Sequence, residues 1–147
     1  MILRFSLVML LLATFAGCDG IEKKQGLGKY GMMDSNLPEF TALEFFDHIF
    51  HDNNLDEALK LSSPSLKRLL ASYHTNRNVQ RHVLNLRFDQ VTITPHTGSA
   101  GRNEFSKESK VIIFFEGELN GKILKDMRIV DLIRDGNEWK VDKVSLK

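Results

Sequence analysis

Apolar and polar positions switch period along this chain, and the switches mark its elements. Ala42, Phe45, Phe46, Ile49 and Phe50 fall at i, i+3, i+4, i+7 and i+8, the stripe of an amphipathic helix. Thr41 with Glu44 has the spacing of a capping box, Pro38 lies just upstream, and Asp52-Asn53-Asn54 signals a stop near His51. Asn54 with Glu57 repeats the capping pattern and predicts a short helix through Leu55, Ala58, Leu59 and Leu61. Ser63-Pro64 reads as an N-cap followed by proline at the first helical position. It opens a third helix to about Tyr73 that buries Leu66, Leu69 and Leu70, and Asn76 to Leu84 adds one or two more turns.

From Leu86 the period becomes two. Leu86–Thr94, Lys110–Leu119, Lys122–Arg134 and Glu138–Leu146 read as strands, with a polar stretch over Pro95–Ser109. Asn120-Gly121 suits a type I′ hairpin, and Asp135-Gly136 marks the next turn. Helices followed by a four-stranded antiparallel meander make an α+β domain. Alternation slips by one residue in three strands: after Phe88, after Ile129 and after Val141. A slip is what a β-bulge produces, bending the sheet around the helices; the alternative is a sheet apolar on both faces, as at a dimer interface.

The start of the chain has a different pattern. Arg4 precedes an apolar run, Phe5 to Leu12, broken only by Ser6, and small residues dominate from Ala13 to Gly17. This is the layout of a secretory signal peptide, too short for a membrane-spanning helix of roughly 20 apolar residues. The sole cysteine stands immediately after it. Phe15-Ala16-Gly17-Cys18 resembles the lipobox of bacterial lipoproteins, with Phe where leucine is usual. The resemblance implies cleavage before Cys18, a diacylglyceryl group on its thiol, and two or three acyl chains such as palmitate in all. One chain binds a membrane marginally; two or three hold it stably. Asp19 resembles the signal that retains enterobacterial-type lipoproteins in the inner membrane. The expected organisation is thus residues 1–17 signal peptide, 18–37 lipidated cysteine and tether, and 38–147 folded domain. The tether, DGIEKKQGLGKYGMMDSNL, is Gly-rich and without period. At about 19 residues it would reach roughly 25 Å. Its glycines follow no strand, so they do not form a phosphate loop.

Composition adds exclusions. Across 147 residues, 20 Lys plus Arg balance 19 Asp plus Glu, and removal of Arg4 leaves equal numbers. That excludes a nucleic-acid binder held by bulk charge, and one cysteine excludes an internal disulfide or a cysteine zinc cluster. The neutral total hides polarity. Lys60, Lys67, Arg68, Arg77, Arg81 and Arg87 are the only charged residues between Glu57 and Asp89, while acids gather in the first helix and the turn after it.

TALEFFDHIF, NNLDEALKLSSP and the closing IRDGNEWKV, an R-x-G-x-x-W-x-V strand, resemble the nuclear-transport-factor-2-like superfamily, also called cystatin-like, over residues 38–147. The resemblance implies a cone of helices and curved sheet, often with a cavity and often dimeric. That superfamily holds isomerases, dehydratases, scaffolds and pure binding domains, so fold alone does not assign function.

Candidate chemistry is thin. His48 and His51 are three apart near the end of the first helix and lack a third metal ligand; a helix C-terminus favours histidine without any metal. His74, His82, Asp89, Asp126 and Asp131 supply acid–base groups, with no spacing that selects a pair. Asp131, on an apolar strand, needs a partner, Arg128 or a lysine of the neighbouring strand. No cofactor or metal is expected. The expectation is an envelope lipoprotein, on the periplasmic face of the inner membrane in a Gram-negative host. Its domain would bind a protein partner without catalysis, an immunity or exclusion role being one version. Lys67, Arg68, Arg77, Arg81 and Arg87 are the candidate contacts to an anionic partner, and a homodimer through the sheet is a further association. The alternative is a small hydrophobic ligand or an acid–base reaction inside the cone.

Overall fold

In a computed structural model of the chain, two units separate at Met32/Met33. The structure describes residues 33–96 and 106–146, all in the second unit. Cys18, Asp19, the signal sequence, most of the tether and residues 97–105 of the polar stretch lie outside the described residues.

Helix α1, Pro38–His51, starts three residues before the capping box that the sequence offered. Pro38 occupies the first turn, where its missing N–H would be unpaired in any case, and Leu37 caps without a side-chain hydrogen bond. Thr41 is therefore helix interior and buried rather than a cap. Helix α2, Asp56–Lys60, begins after Asn54, whose Oδ1 accepts from the Asp56 amide at 3.0 Å. In α3, Pro64–Ala71, Ser63 does cap: its Oγ accepts from the Leu66 amide at 3.2 Å. Leu66 and Leu70 are buried there, but Leu69 is 46% exposed, because the helix is eight residues long and offers the core a narrow stripe. Helix α4, Asn76–Asn78, is capped by Thr75 and runs into a π turn, Val79–Val83. These last turns close the end of α1. Buried Asn76 donates from Nδ2 to the His48 and Asp52 carbonyls at 3.0 and 2.8 Å, and Gln80 donates to the Ile49 carbonyl at 2.7 Å.

The sheet is the expected meander, β1 (Gln90–Pro95), β2 (Glu108–Leu119), β3 (Lys122–Asp135) and β4 (Glu138–Leu146), antiparallel in the order β1-β2-β3-β4. Asn120 and Gly121 take φ of 52° and 75°, the two left-handed residues of a type I′ hairpin. The β3–β4 turn is Gly136-Asn137, one residue later than expected, with φ 61° at Gly136.

Each alternation slip has its own cause. In β4 it is a bulge: Asp131 pairs with Lys143 but Leu132 with Val141, leaving Asp142 extra, so Val141 and Val144 share a face. In β3 there is no bulge. Arg128, Val130 and Leu132 are buried on one face, and Met127, Ile129 and Ile133 lie half-buried on the other. In β1 the slip precedes the strand, which starts at Gln90 rather than Leu86.

Helix α1 touches all four strands across the inner face. Phenylalanines fill the contact. Phe46 meets Phe115 edge-on with ring centres 4.9 Å apart, Phe50 meets Phe88 and Phe115 at 5.9 and 5.8 Å, and Phe88 stacks on Phe115 at 6.4 Å. Gly117 makes room for this cluster: a Cβ there would lie 2.2 Å from the Gln90 carbonyl oxygen and 2.7 Å from Phe88. The free edge of β4 is covered where its bulge begins. Val141 donates to the Leu61 carbonyl and accepts from the Ser63 amide, both at 2.8 Å, and Ser65 reaches Asp142 at 3.0 Å.

Candidate functional site

Beyond the phenylalanines, toward the β2–β3 hairpin, the inner face opens into a cleft of about 480 Å³. Its lining comes from two places: Arg81, Asn85, Leu86 and Arg87 follow from the π turn, and Leu119, Leu124, Lys125 and Asp126 come from the hairpin.

Local backbone explains the first group. A π turn closes its ring one residue wider than an α-helix, here with the Leu84 amide on the Val79 carbonyl at 3.0 Å. The Leu86 amide then reaches back to the Gln80 carbonyl at 2.8 Å, and Asn85 between them adopts φ 48°. Asparagine tolerates this left-handed conformation better than most residues, yet it carries strain. The chain thereby turns sharply from helix to strand and sets Arg81 and Arg87 on one wall.

A single buried side chain holds the wall to the floor. Arg128 is 3% exposed. Its Nη1 donates to Asp126 Oδ1 at 2.6 Å and its Nη2 to the Leu84 carbonyl at 3.2 Å, so one guanidinium joins β3 to the end of the π turn. Asp126 also accepts from the Met127 amide at 2.5 Å. The carboxylate lining the cleft is thus ion-paired and hydrogen-bonded. Lys125 is paired with Glu116 at 2.9 Å. Arg81 and Arg87 are exposed and form no ion pair with a described residue.

Of the five basic residues singled out in the sequence, Arg81 and Arg87 come together in the cleft. Lys67 and Arg68 on α3 and Arg77 on α4 are exposed and do not line it. The acid–base candidates do not converge. Asp131 faces the outer side of the sheet and pairs with Lys110 of the neighbouring strand at 3.0 Å, one of the two partners expected for it. Asp89 accepts from the Asn120 amide at 2.7 Å and steadies the hairpin. His82 stacks on Tyr73, with ring centres 6.1 Å apart. His48 and His51 each engage a carboxylate one turn away, Asp52 at 2.7 Å and Asp47 at 2.6 Å. Beside them burial pushes Glu44 above the usual glutamate range, with His48 opposing the shift and Asp47 adding to it.

Asn85, Leu86, Leu119, Leu124 and Lys125 were not singled out in the sequence; Asp126 stood there only as one of several acid–base groups, and Arg128 only as a partner for Asp131. One signal was readable. Arg128 shares its alternation phase with Val130 and Leu132, so a strand that buries those valine and leucine side chains must bury the arginine as well.

The outer face of the sheet is also partly apolar. Ile112 pairs with Ile129 and Phe114 with Met127 across β2 and β3, and Phe114 is 39% exposed with His96 edge-on to it. No helix among the described residues is long and apolar enough to cross a membrane. Compared with known proteins, the chain matches no family model and no curated protein sequence.

Proposed function

We propose that this chain is a lipid-anchored envelope protein, held at a membrane through Cys18, whose domain binds a protein partner without catalysis. In a Gram-negative host, Asp19 would keep it on the periplasmic face of the inner membrane. The observation that carries the binding role is the pattern of ion pairing in the cleft. Its carboxylate is engaged by Arg128, while Arg81 and Arg87 stand exposed without an ion-pair partner among the described residues. Two open guanidiniums are what an anionic group on a partner requires. Phenylalanines packed between α1 and the sheet also favour a partner at the rim over a ligand deep within.

The test is affinity capture by the lipidated chain from envelope extract at low and high salt, alongside a ligand thermal-shift screen. The reading predicts a protein captured at low salt and released as salt rises. Capture of nothing, with a strong rise in Tm from an uncharged small molecule, contradicts it.

A homodimer through the outer sheet face is the second association we propose, carried by the Ile112–Ile129 and Phe114–Met127 pairs. It predicts sedimentation as a dimer that Ile129→Lys converts to monomer. A wild-type monomer at all concentrations contradicts it.

A further inference from the structure

We infer that the group recognised in the cleft is the C-terminal end of a partner polypeptide: a free α-carboxylate on the arginines, with an apolar last side chain on the leucines. The inference rests on the binding role proposed above and names the chemistry of that site. Four observations lead to it. First, the cations are arginines, whose planar fork matches a carboxylate with two parallel hydrogen bonds. Second, they flank an apolar surface. Leu119 and Leu124 are inner-face residues of the hairpin, and Leu86, next to Arg87 in the chain, also lines the cleft, so one cleft offers partners to an anionic head and an apolar arm.

Third, the volume suits a small group. A cleft of about 480 Å³ falls in the range of small-ligand sites, roughly 300–1,000 Å³. It would take the last residues of a chain and not a folded surface. Fourth, five of the eight lining residues are polar or charged, which favours peptide over an acyl chain. A peptide terminus brings amide groups that need partners, and Asn85 contributes both an amide donor and an acceptor to the lining. Terminal carboxylate capture is a recurring mode of peptide recognition. The backbone beside the arginines is held beforehand by Arg128 on the Leu84 carbonyl, so binding has chiefly the Arg81 and Arg87 side chains left to order.

The experiment uses the full-length chain, purified as its host processes it and held in phosphatidylcholine vesicles. Fluorescence anisotropy compares N-terminally labelled hexapeptides ending in alanine-leucine, one with a free carboxylate and one amidated. A hydrogen-bonded charge should make the acid bind about tenfold or more tighter than the amide. Arg81→Gln and Arg87→Gln should each remove most of that difference, and a terminal serine in place of leucine should weaken binding several-fold. Lys143→Gln, on the outer face, should leave it unchanged. Three results overturn the inference: acid and amide binding equally, a difference that survives both arginine substitutions, or hexanoate competing as well as the peptide. If an amidated peptide with internal acids binds through Arg81 and Arg87 while acid and amide termini do not differ, the inference fails and the proposed binding role stands. If no peptide binds and partner capture ignores both arginines, both fail.

Discussion

Replacing Arg128 by methionine would remove a buried side chain that ties the cleft's wall to its floor. Methionine has similar reach, so the change is chiefly the loss of charge and donors. Three hydrogen bonds disappear, to Asp126 at 2.6 Å, to the Leu84 carbonyl at 3.2 Å and to the Met127 carbonyl at 3.4 Å. Breaking a fully buried pair costs about 3–5 kcal/mol. The Asp126 side chain is 30% exposed, so water recovers part of that loss, and about 2–3 kcal/mol is expected. With a urea slope of roughly 1–3 kcal/mol per molar for a domain of this size, the unfolding midpoint should drop by about 1–2 M. Asp126→Leu alone should cost at least as much, since it leaves a guanidinium buried without its carboxylate. The double substitution should recover most of the loss, giving an interaction energy of about 1.5 kcal/mol or more in the double-mutant cycle. Local effects should accompany the global one. Hydrogen exchange at the Leu86 amide, bonded to the Gln80 carbonyl, should quicken in Arg128→Met more than at Val141, whose amide is bonded to Leu61 at the far edge of the sheet. A loss under about 0.5 kcal/mol, or strictly additive single effects, would refute this account of the pair.

Three further outcomes follow from the same structure. Gly117→Ala places a Cβ against the Gln90 carbonyl and Phe88, and should cost about 2–3 kcal/mol by urea melting, because β1 must move away from β2. Glu44 has its folded pKa raised by burial, so the folded state holds more protons than the unfolded one just above the ordinary glutamate value. Stability should therefore fall as pH rises through that window; Glu44→Gln should flatten this dependence and raise Tm at neutral pH, measured by thermal melts across pH. Cys18→Ala should move the protein from the membrane to the soluble fraction on cell fractionation, and continued tight attachment would sink the anchor reading.

Elements set by neighbouring residues were legible in the sequence; arrangements set by distant ones were not. Asn120-Gly121 fixes its hairpin because both positions need positive φ, and Ser63-Pro64 fixes the start of α3 because cap and proline act within one turn. Thr41 misleads because Pro38 competes with it for the same helix start and lies three residues earlier. The slip in β3 looked like the slip in β4. Only the register with β4 distinguishes a bulge at Asp142 from a strand apolar on both faces. The site was half legible for the same reason. Arg81 and Arg87 stood out as cations in an acid-free stretch, but Lys67, Arg68 and Arg77 stood out equally. What separates them is a π turn and a left-handed Asn85, which bring Arg81 and Arg87 against a hairpin some forty residues later in the chain. Asp126 and Arg128, two apart on one strand, share a face and so were legible as neighbours, whereas the reach of Arg128 to the Leu84 carbonyl was not.

The central proposal is that a partner binds at the cleft. The measurement is capture by the lipidated chain at low salt, comparing wild type with Arg81→Glu/Arg87→Glu and with Lys67→Glu/Arg68→Glu, all shown to keep the same Tm. Loss of the captured protein with the first pair and retention with the second is the predicted result. Retention with the first pair, or equal loss with both, would contradict a partner held at the cleft.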